Sequence, residues 1–335
     1  MARIAIAGST GNVAQEIIDV LIATGNHEIV LLSRKDITAE LPASGVTLVK
    51  ANYEDVEGLI QALRDVHTVL CFITPQSDPG NRAQKNLIDA AVKAGVKRYA
   101  PSEWATSSFD YMPWYAGKAE IRQYLKELNK DSTVSYKVKE MPGGLVNVSI
   151  QVLEYCLFMP GMFVNYYVAP YKTSKHIHPF QNQFDFNNRR AILLEGAEDS
   201  RISLITVRDF CNVVAKAVEY EGVWPIVGGI RGDELTVAQL IAVGEKVRGG
   251  PFIIEKMKAE DLKVGVVEST WLPKVDHPAI PVEQVNALAA SFVSGVLLGM
   301  STGAFSVLNE WNRLLPDYKM TRAEDFLADA WRDKP

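Results

Sequence analysis

Arg3-Ile4-Ala5-Ile6-Ala7-Gly8-Ser9-Thr10-Gly11-Asn12-Val13-Ala14 is the stretch that decides how this chain folds. An apolar run of strand length enters Gly8 directly. From Val13 to Ala23 apolar residues recur at helical spacing, with Ile17, Ile18, Leu21 and Ile22 on one side. Strand, glycine loop and helix in that order form the context a dinucleotide fingerprint requires. Gly8 permits the tight turn, Gly11 lets the backbone approach a pyrophosphate, and Ala14 packs helix on strand in place of the third glycine. The helix start offers free N–H groups and a positive dipole end to phosphates. Gly8, Ser9, Thr10, Gly11, Asn12 and Val13 are therefore candidate cofactor contacts.

The second strand, Glu28 to Leu32, ends in Ser33-Arg34-Lys35. An NAD-binding chain places an acid there for the ribose diol, whereas an NADP-binding chain places a cation for the 2′-phosphate. Asp36 comes late, and Arg34 can fork onto a phosphate with Lys35 as a second charge, so NADP(H) is the expected cofactor.

Further strands are expected at Val46–Val49, Val66–Ile73, Val96–Ala100 and Val152–Met159. Helices alternate with them at Tyr53–Leu63, Asn81–Ala94 and Tyr115–Leu128. This alternation predicts an α/β fold, a Rossmann-like doubly wound parallel sheet with a smaller α+β substrate-binding domain. The expected division is 1–158 for the NADP-binding domain and 159–335 for the substrate-binding region, with chain crossings back to the sheet. Asn129–Asn147 reads as a surface excursion. Beyond Pro160 the alternation is lost, although Thr236–Val247 reads as a helix, Phe252–Glu255 as a strand and the last fifty residues as helical.

A hydrophobic fraction of 47% is enough to fill a core, and a net charge of −5 gives no reason to expect nucleic acid. The three cysteines, Cys71, Cys156 and Cys211, are sparse and odd in number, which fits a reducing compartment. No signal peptide is read ahead of the first strand, and a cytosolic protein is expected. Val285–Asn309 is long and uncharged, but its many Ser, Gly and Asn residues and its flanks, Glu283 and Glu310, speak against a membrane span. It is read as one or two buried helices broken near Gly299–Gly303. His176-Ile177-His178 lacks a spaced Cys or acidic partner, so no metal is expected.

The chain resembles the NmrA-like and isoflavone-reductase-like branch of atypical short-chain dehydrogenases, especially its fungal members. The resemblance is carried by Gly8–Ala14, Ser33-Arg34, Asn52-Tyr53-Glu54-Asp55 and, above all, the block from Ala90 to Trp104 that ends in Tyr99-Ala100-Pro101-Ser102-Glu103-Trp104. Lys118-Ala119-Glu120-Ile121-Arg122, Pro160-Gly161-Met162-Phe163, Ile205–Asp209 and Gly232–Thr236 also match. It implies that Lys118 is the active-site lysine and that Pro160, Gly161 and Phe163 meet the nicotinamide. Tyr115-Ala116-Gly117-Lys118 is one residue short of the Tyr-x-x-x-Lys pair of other short-chain dehydrogenases, which leaves the lysine alone. From spacing alone Lys118 reads as a solvated helix lysine like Lys126, and it is the resemblance that favours the active-site role.

Thr74 and Pro75, ending the fourth strand, and Ser102, ending the fifth, are further cofactor candidates. Trp104, Met159, Phe163, Tyr166 and Tyr167 are substrate-pocket candidates, with plain core as the open alternative for the last four. The implied activity is NADPH-dependent reduction of an apolar, aromatic or alkaloid-like small molecule at C=N, C=C or C=O. Two alternatives stand beside it: a biosynthetic cyclase that couples iminium reduction to ring closure (Diels-Alder type), and a non-catalytic NADP-sensing regulator. A small-molecule substrate is expected, with neither nucleic acid nor membrane as partner; oligomeric state is not legible.

Overall fold

The computed structural model describes residues 1–34, 44–130, 152–274 and 282–335, with backbone alone for 133–137, 145–149 and 282–286. Lys35 lies outside the described residues. The first half runs β1 (Ala2–Ala7), α1 (Asn12–Thr24), β2 (His27–Ser33), β3 (Val46–Lys50), α2 (Val56–Ala62), β4 (Thr68–Cys71), α3 (Arg82–Ala94), β5 (Arg98–Ala100) and α4 (Ala116–Leu128). These elements alternate as the apolar periodicity requires. α1 and α3 both stop at glycines in the left-handed region, Gly25 and Gly95. Asp55 is not inside α2 but caps it, accepting from the Gly58 N–H at 3.0 Å.

Two short strands follow, β6 (Thr133–Lys137) and β7 (Leu145–Ser149), paired antiparallel. The expected surface excursion therefore contains a hairpin. The strand expected over Val152–Met159 is two strands, β8 (Glu154–Tyr155) and β9 (Leu157–Met159). β8 pairs with β5, which ends just before Pro101; a proline offers no N–H to prolong the ladder. Past Cys156 the chain changes partner, and the Leu157 N–H donates to Ile226 O at 2.8 Å.

The main sheet has the order β3-β2-β1-β4-β5-β8, with every pair parallel. The order reverses beside β1, so the crevice between the carboxyl ends of β1 and β4 is the topological switch point where such sheets bind ligands. Alternation along β1 serves both faces. Ile4 and Ile6 pack with Ile17, Leu21 and the helix α5 (Val207–Glu219), while Ala5 and Ala7 pack with Leu59, Leu87 and Ile121 from α2, α3 and α4.

Beyond β9 the chain builds two three-stranded sheets. One joins Met162–Phe163, Arg201–Ile205 and Asp233–Thr236; the other joins Phe184–Asp185, Arg190–Leu194 and Ile253–Met257. Helices at Val237–Arg248, Val282–Ser301 and Ala323–Trp331 pack against them, the first opened by a capping box on Thr236. The long uncharged segment is one helix that ends at Ser301, followed by a turn through Gly303 in the left-handed region. Among the described residues no helix is long and apolar enough to cross a membrane. Cys71, Cys156 and Cys211 are buried and free.

Candidate cofactor cleft and active site

The carboxyl end of β1 opens into a cleft of about 320 Å³ lined by Gly8, Ser9, Thr10, Gly11, Arg34 and Thr74 together with Tyr53, Phe72 and Ile73. Gly8 has φ +73°, and a Cβ there would lie 2.7 Å from the carbonyl carbon of Phe72. Neither the conformation nor the space admits a side chain. The Gly11 N–H donates to Gly8 O at 3.0 Å, closing the turn, and Gly11 caps α1 with no side chain over the first N–H groups. Gln15 Nε2 donates to Ser9 O at 2.5 Å and fixes the loop from the helix side. This turn fits a dinucleotide: Gly11 leaves the first N–H groups of α1 without a side-chain cap beside the cleft. Asn12 is exposed at the first turn, with Val13 half-buried behind it.

Arg34 is exposed at the carboxyl end of β2, on the rim where this cleft meets a second hollow that includes Asn52, Tyr53 and Arg82. Arg82 is engaged by Glu54 at 2.5 Å, which leaves Arg34 as the cation nearer the loop. Tyr53, Phe72, Ile73, Ser77 and Ala83 line the cleft without having been singled out as contacts. Tyr53 stood within a matched motif; the others carry no local signal, because only strand pairing brings them opposite Gly8.

At the other end of the same strand row, Lys118 enters from the first turn of α4 and is 8% exposed. Its Nζ donates to the main-chain oxygens of Ser102 and Glu103, the latter at 2.7 Å, and lies 5.3 Å from the Tyr115 ring centre. Burial pulls the ammonium down to about 8, against the opposing pull of the Glu103 carboxylate. A lysine held this way is no solvated helix lysine. Tyr115 meets it through the ring face, consistent with a spacing one residue short of the usual pair. Gly117 allows α4 to approach Pro75, whose Cβ lies 3.1 Å from where a glycine Cβ would stand. Ser102 is buried, and its N–H donates to Gln84 Oε1 at 2.8 Å.

Tyr115, the ring against this lysine, belongs to a run of ring contacts drawn from distant segments. Trp104 stacks on Phe72 at 4.5 Å and meets Phe210 edge-on, with its Nε1 donating to Cys71 O at 2.7 Å. The run continues through Phe163 and Tyr166 to Phe180, then to Phe292, Trp114 and Tyr115. Gly161, with φ +72°, donates its N–H to Ala105 O at 3.2 Å and ties the Pro160–Phe163 turn to the loop after β5. Met159 and Tyr167 stand outside this run. Met159 is 3% exposed within the core beneath the sheet, and Tyr167 is packed on Phe184 and Phe186. Trp114, Phe180 and Phe292 were missed, since nothing in their own neighbourhoods marks them. His176, from the loop read earlier, places Nε2 2.9 Å from Asp19 on α1.

The match to the NmrA-like family runs over residues 1–294. Oxidoreductase BOA1 of Botryotinia fuckeliana is 27% identical over 252 residues, 74% of this chain and 77% of the relative. The NADPH-dependent quinone oxidoreductase QOR2 of Escherichia coli, solved with NADPH, shares the fold at a TM-score of 0.63 and 21% identity, covering 97% of this chain and 99% of that one. AtPrR2, solved with NADP+ and (+)pinoresinol, does so at a TM-score of 0.67 and 17% identity, covering 98% of both chains. With a match that runs along most of its length, this chain belongs to the NmrA-like family.

Proposed function

We propose that this protein is an NADPH-dependent oxidoreductase that reduces an apolar, aromatic or alkaloid-like small molecule at a C=N, C=C or C=O bond. The observation that carries the reading is a buried lysine held by main-chain oxygens against the Tyr115 ring, just past the carboxyl end of β5 in the same sheet whose β1 opens into the glycine cleft. The reduced nicotinamide supplies hydride. Gly8 to Val13 would hold the pyrophosphate with main-chain N–H groups, and Arg34 would pair with the 2′-phosphate, Lys35 being the next cation in the sequence. Thr74 and Pro75 flank the path toward Ser102, and the Pro160–Phe163 turn borders the nicotinamide end.

Lys118 uses two of its three ammonium protons on main-chain oxygens among the described residues. The third stabilises negative charge that develops on the substrate as hydride arrives, or is delivered to it. Trp104, Phe163 and Tyr166 supply flat apolar faces for the substrate, and Phe180, Phe292 and Trp114 extend them. The division into a cofactor-binding part (1–158) and a substrate-binding part (159–335), and a reducing, cytosolic setting for the three free thiols, belong to the same reading.

The test is oxidation of NADPH by the purified protein against a panel of aromatic imines, enones, ketones and quinones, followed at the nicotinamide absorbance with product analysis. Turnover that disappears in Lys118→Met supports a reductase, and ring-closed products would identify a cyclase. Tight NADPH binding with no turnover on any acceptor would sink the catalytic reading in favour of a sensor.

A further inference from the structure

Beside Lys118 lies a buried charge that neither cofactor nor substrate requires. Glu103 is 1% exposed; its Oε2 accepts from Arg122 Nε at 3.0 Å and Nη2 at 2.7 Å, while Oε1 has no hydrogen-bond partner among the described residues. A carboxylate so desolvated, with half its acceptors unused, is unfavourable unless nearby cations compensate it. Arg122 stands four residues after Lys118, on the same face of α4. It also donates to Ser107 O at 3.0 Å and Thr106 O at 3.3 Å, with its guanidinium 4.0 Å from the Phe109 ring centre. The loop after β5 is thereby fastened to α4. Glu103 is the shared member: its main-chain oxygen receives Lys118 and its carboxylate receives Arg122.

We propose that Glu103, clipped by Arg122, is the positioning residue of Lys118, presenting the two main-chain oxygens that hold the ammonium and supplying the negative charge that keeps it protonated. The inference rests on the reading of Lys118 as the active-site lysine. The groups that face Lys118 are the Glu103 carboxylate from the loop, the Arg122 guanidinium from its own helix, the Cys71 thiol from β4 and the Tyr115 ring. Glu103 favours the ammonium and Arg122 opposes it. Their removal therefore acts in opposite directions, whereas a loosened loop would rehydrate Lys118 and favour its ammonium in either variant.

The experiment is a pH titration of Lys118 by NMR in protein carrying 13Cε-lysine and saturated with NADP+, the signal being assigned by its loss in Lys118→Met. Glu103→Gln should lower the midpoint by about one unit or more, and Arg122→Gln should raise it. A midpoint that stays put or rises in Glu103→Gln overturns the proposal. Should Glu103→Gln not fold, Arg122→Gln and Arg122→Lys decide together: a rise in Arg122→Gln that the charge-keeping Arg122→Lys does not show supports the clip, and a rise in both, or in neither, overturns it. Full turnover in Lys118→Met would overturn the functional reading and leave the titration result standing. An inactive Lys118→Met with an unmoved Glu103→Gln midpoint would overturn the clip alone.

Discussion

The glycine turn after β1 and the surroundings of Lys118 are built by different means. At the β1 end, the turn is main chain: Gly8, Ser9, Thr10 and Gly11 shape it, and the Gly11 N–H on Gly8 O closes it. At the Lys118 end, the surroundings are side chains from the loops after β4 and β5, the segment before α4, the Pro160–Phe163 turn, α5 and the long helix near Phe292. A main-chain site depends on conformation and tolerates little change in the few residues that set it. A side-chain site depends on packing and distributes its specificity over many residues.

Four variants probe this contrast, beginning with the largest effect. Lys118→Met should lower kcat by about a hundredfold or more while NADPH affinity changes little, since the glycine turn lies after β1. An unchanged kcat would mean that the side-chain end is mere packing. The same variant has a stability signature. The folded-state value of Lys118, about 8, lies below its unfolded value of 10.5, so the unfolded chain holds more protons between the two. Stability of the unsubstituted protein should therefore rise relative to Lys118→Met as pH climbs from about 8 toward 10.5, by about 3 kcal/mol at the most. Urea unfolding of both proteins along that range checks it, and parallel curves would refute the depressed lysine.

Next comes the glycine turn. Gly8→Ala places a Cβ against the Phe72 carbonyl carbon at 2.7 Å and forces a positive φ on an L side chain. Stability should drop by about 1–3 kcal/mol, with NADPH binding weakened at least tenfold. Calorimetric titration with intact affinity would show that the loop is less constrained than its geometry demands. Arg34→Ala is expected to weaken NADPH binding about tenfold, close to 1.4 kcal/mol, and to leave NADH nearly untouched. Equal loss for both cofactors would move the 2′-phosphate away from β2. The smallest effect belongs to Phe292→Ala, which should raise KM about threefold to tenfold for an aromatic substrate with kcat retained. A kcat loss without a KM change would place Phe292 outside the substrate wall.

The glycine turn was readable because each of its requirements is local. An apolar run, two glycines and the start of an amphipathic helix sit within the first fourteen residues, and Arg34 follows the next strand directly. The lysine was readable only by resemblance, since its spacing matches that of Lys126 on the same helix. Trp104 and Phe163 were picked out of motifs, yet nothing local separated them from Met159 and Tyr167, and Phe163 packs into a core as those two do. Val152–Met159 failed as one strand because its apolar continuity hides a change of partner at Cys156. Glu103 stood inside the most specific motif of the chain and still gave no sign of its pairing with Arg122.

By itself, then, the sequence determined the alternating α/β order, the glycine turn at the end of β1 and the cation at the end of β2. These follow from backbone conformation and periodicity, which act over a few residues. Only the tertiary structure decided which rings connect to Tyr115 beside Lys118, that its ammonium is buried against two main-chain oxygens, and that Glu103 and Arg122 close on each other beside it. The physical reason is distance along the chain. Desolvation and ring packing depend on what the fold brings alongside, and Phe292 reaches Trp114 from 178 residues away.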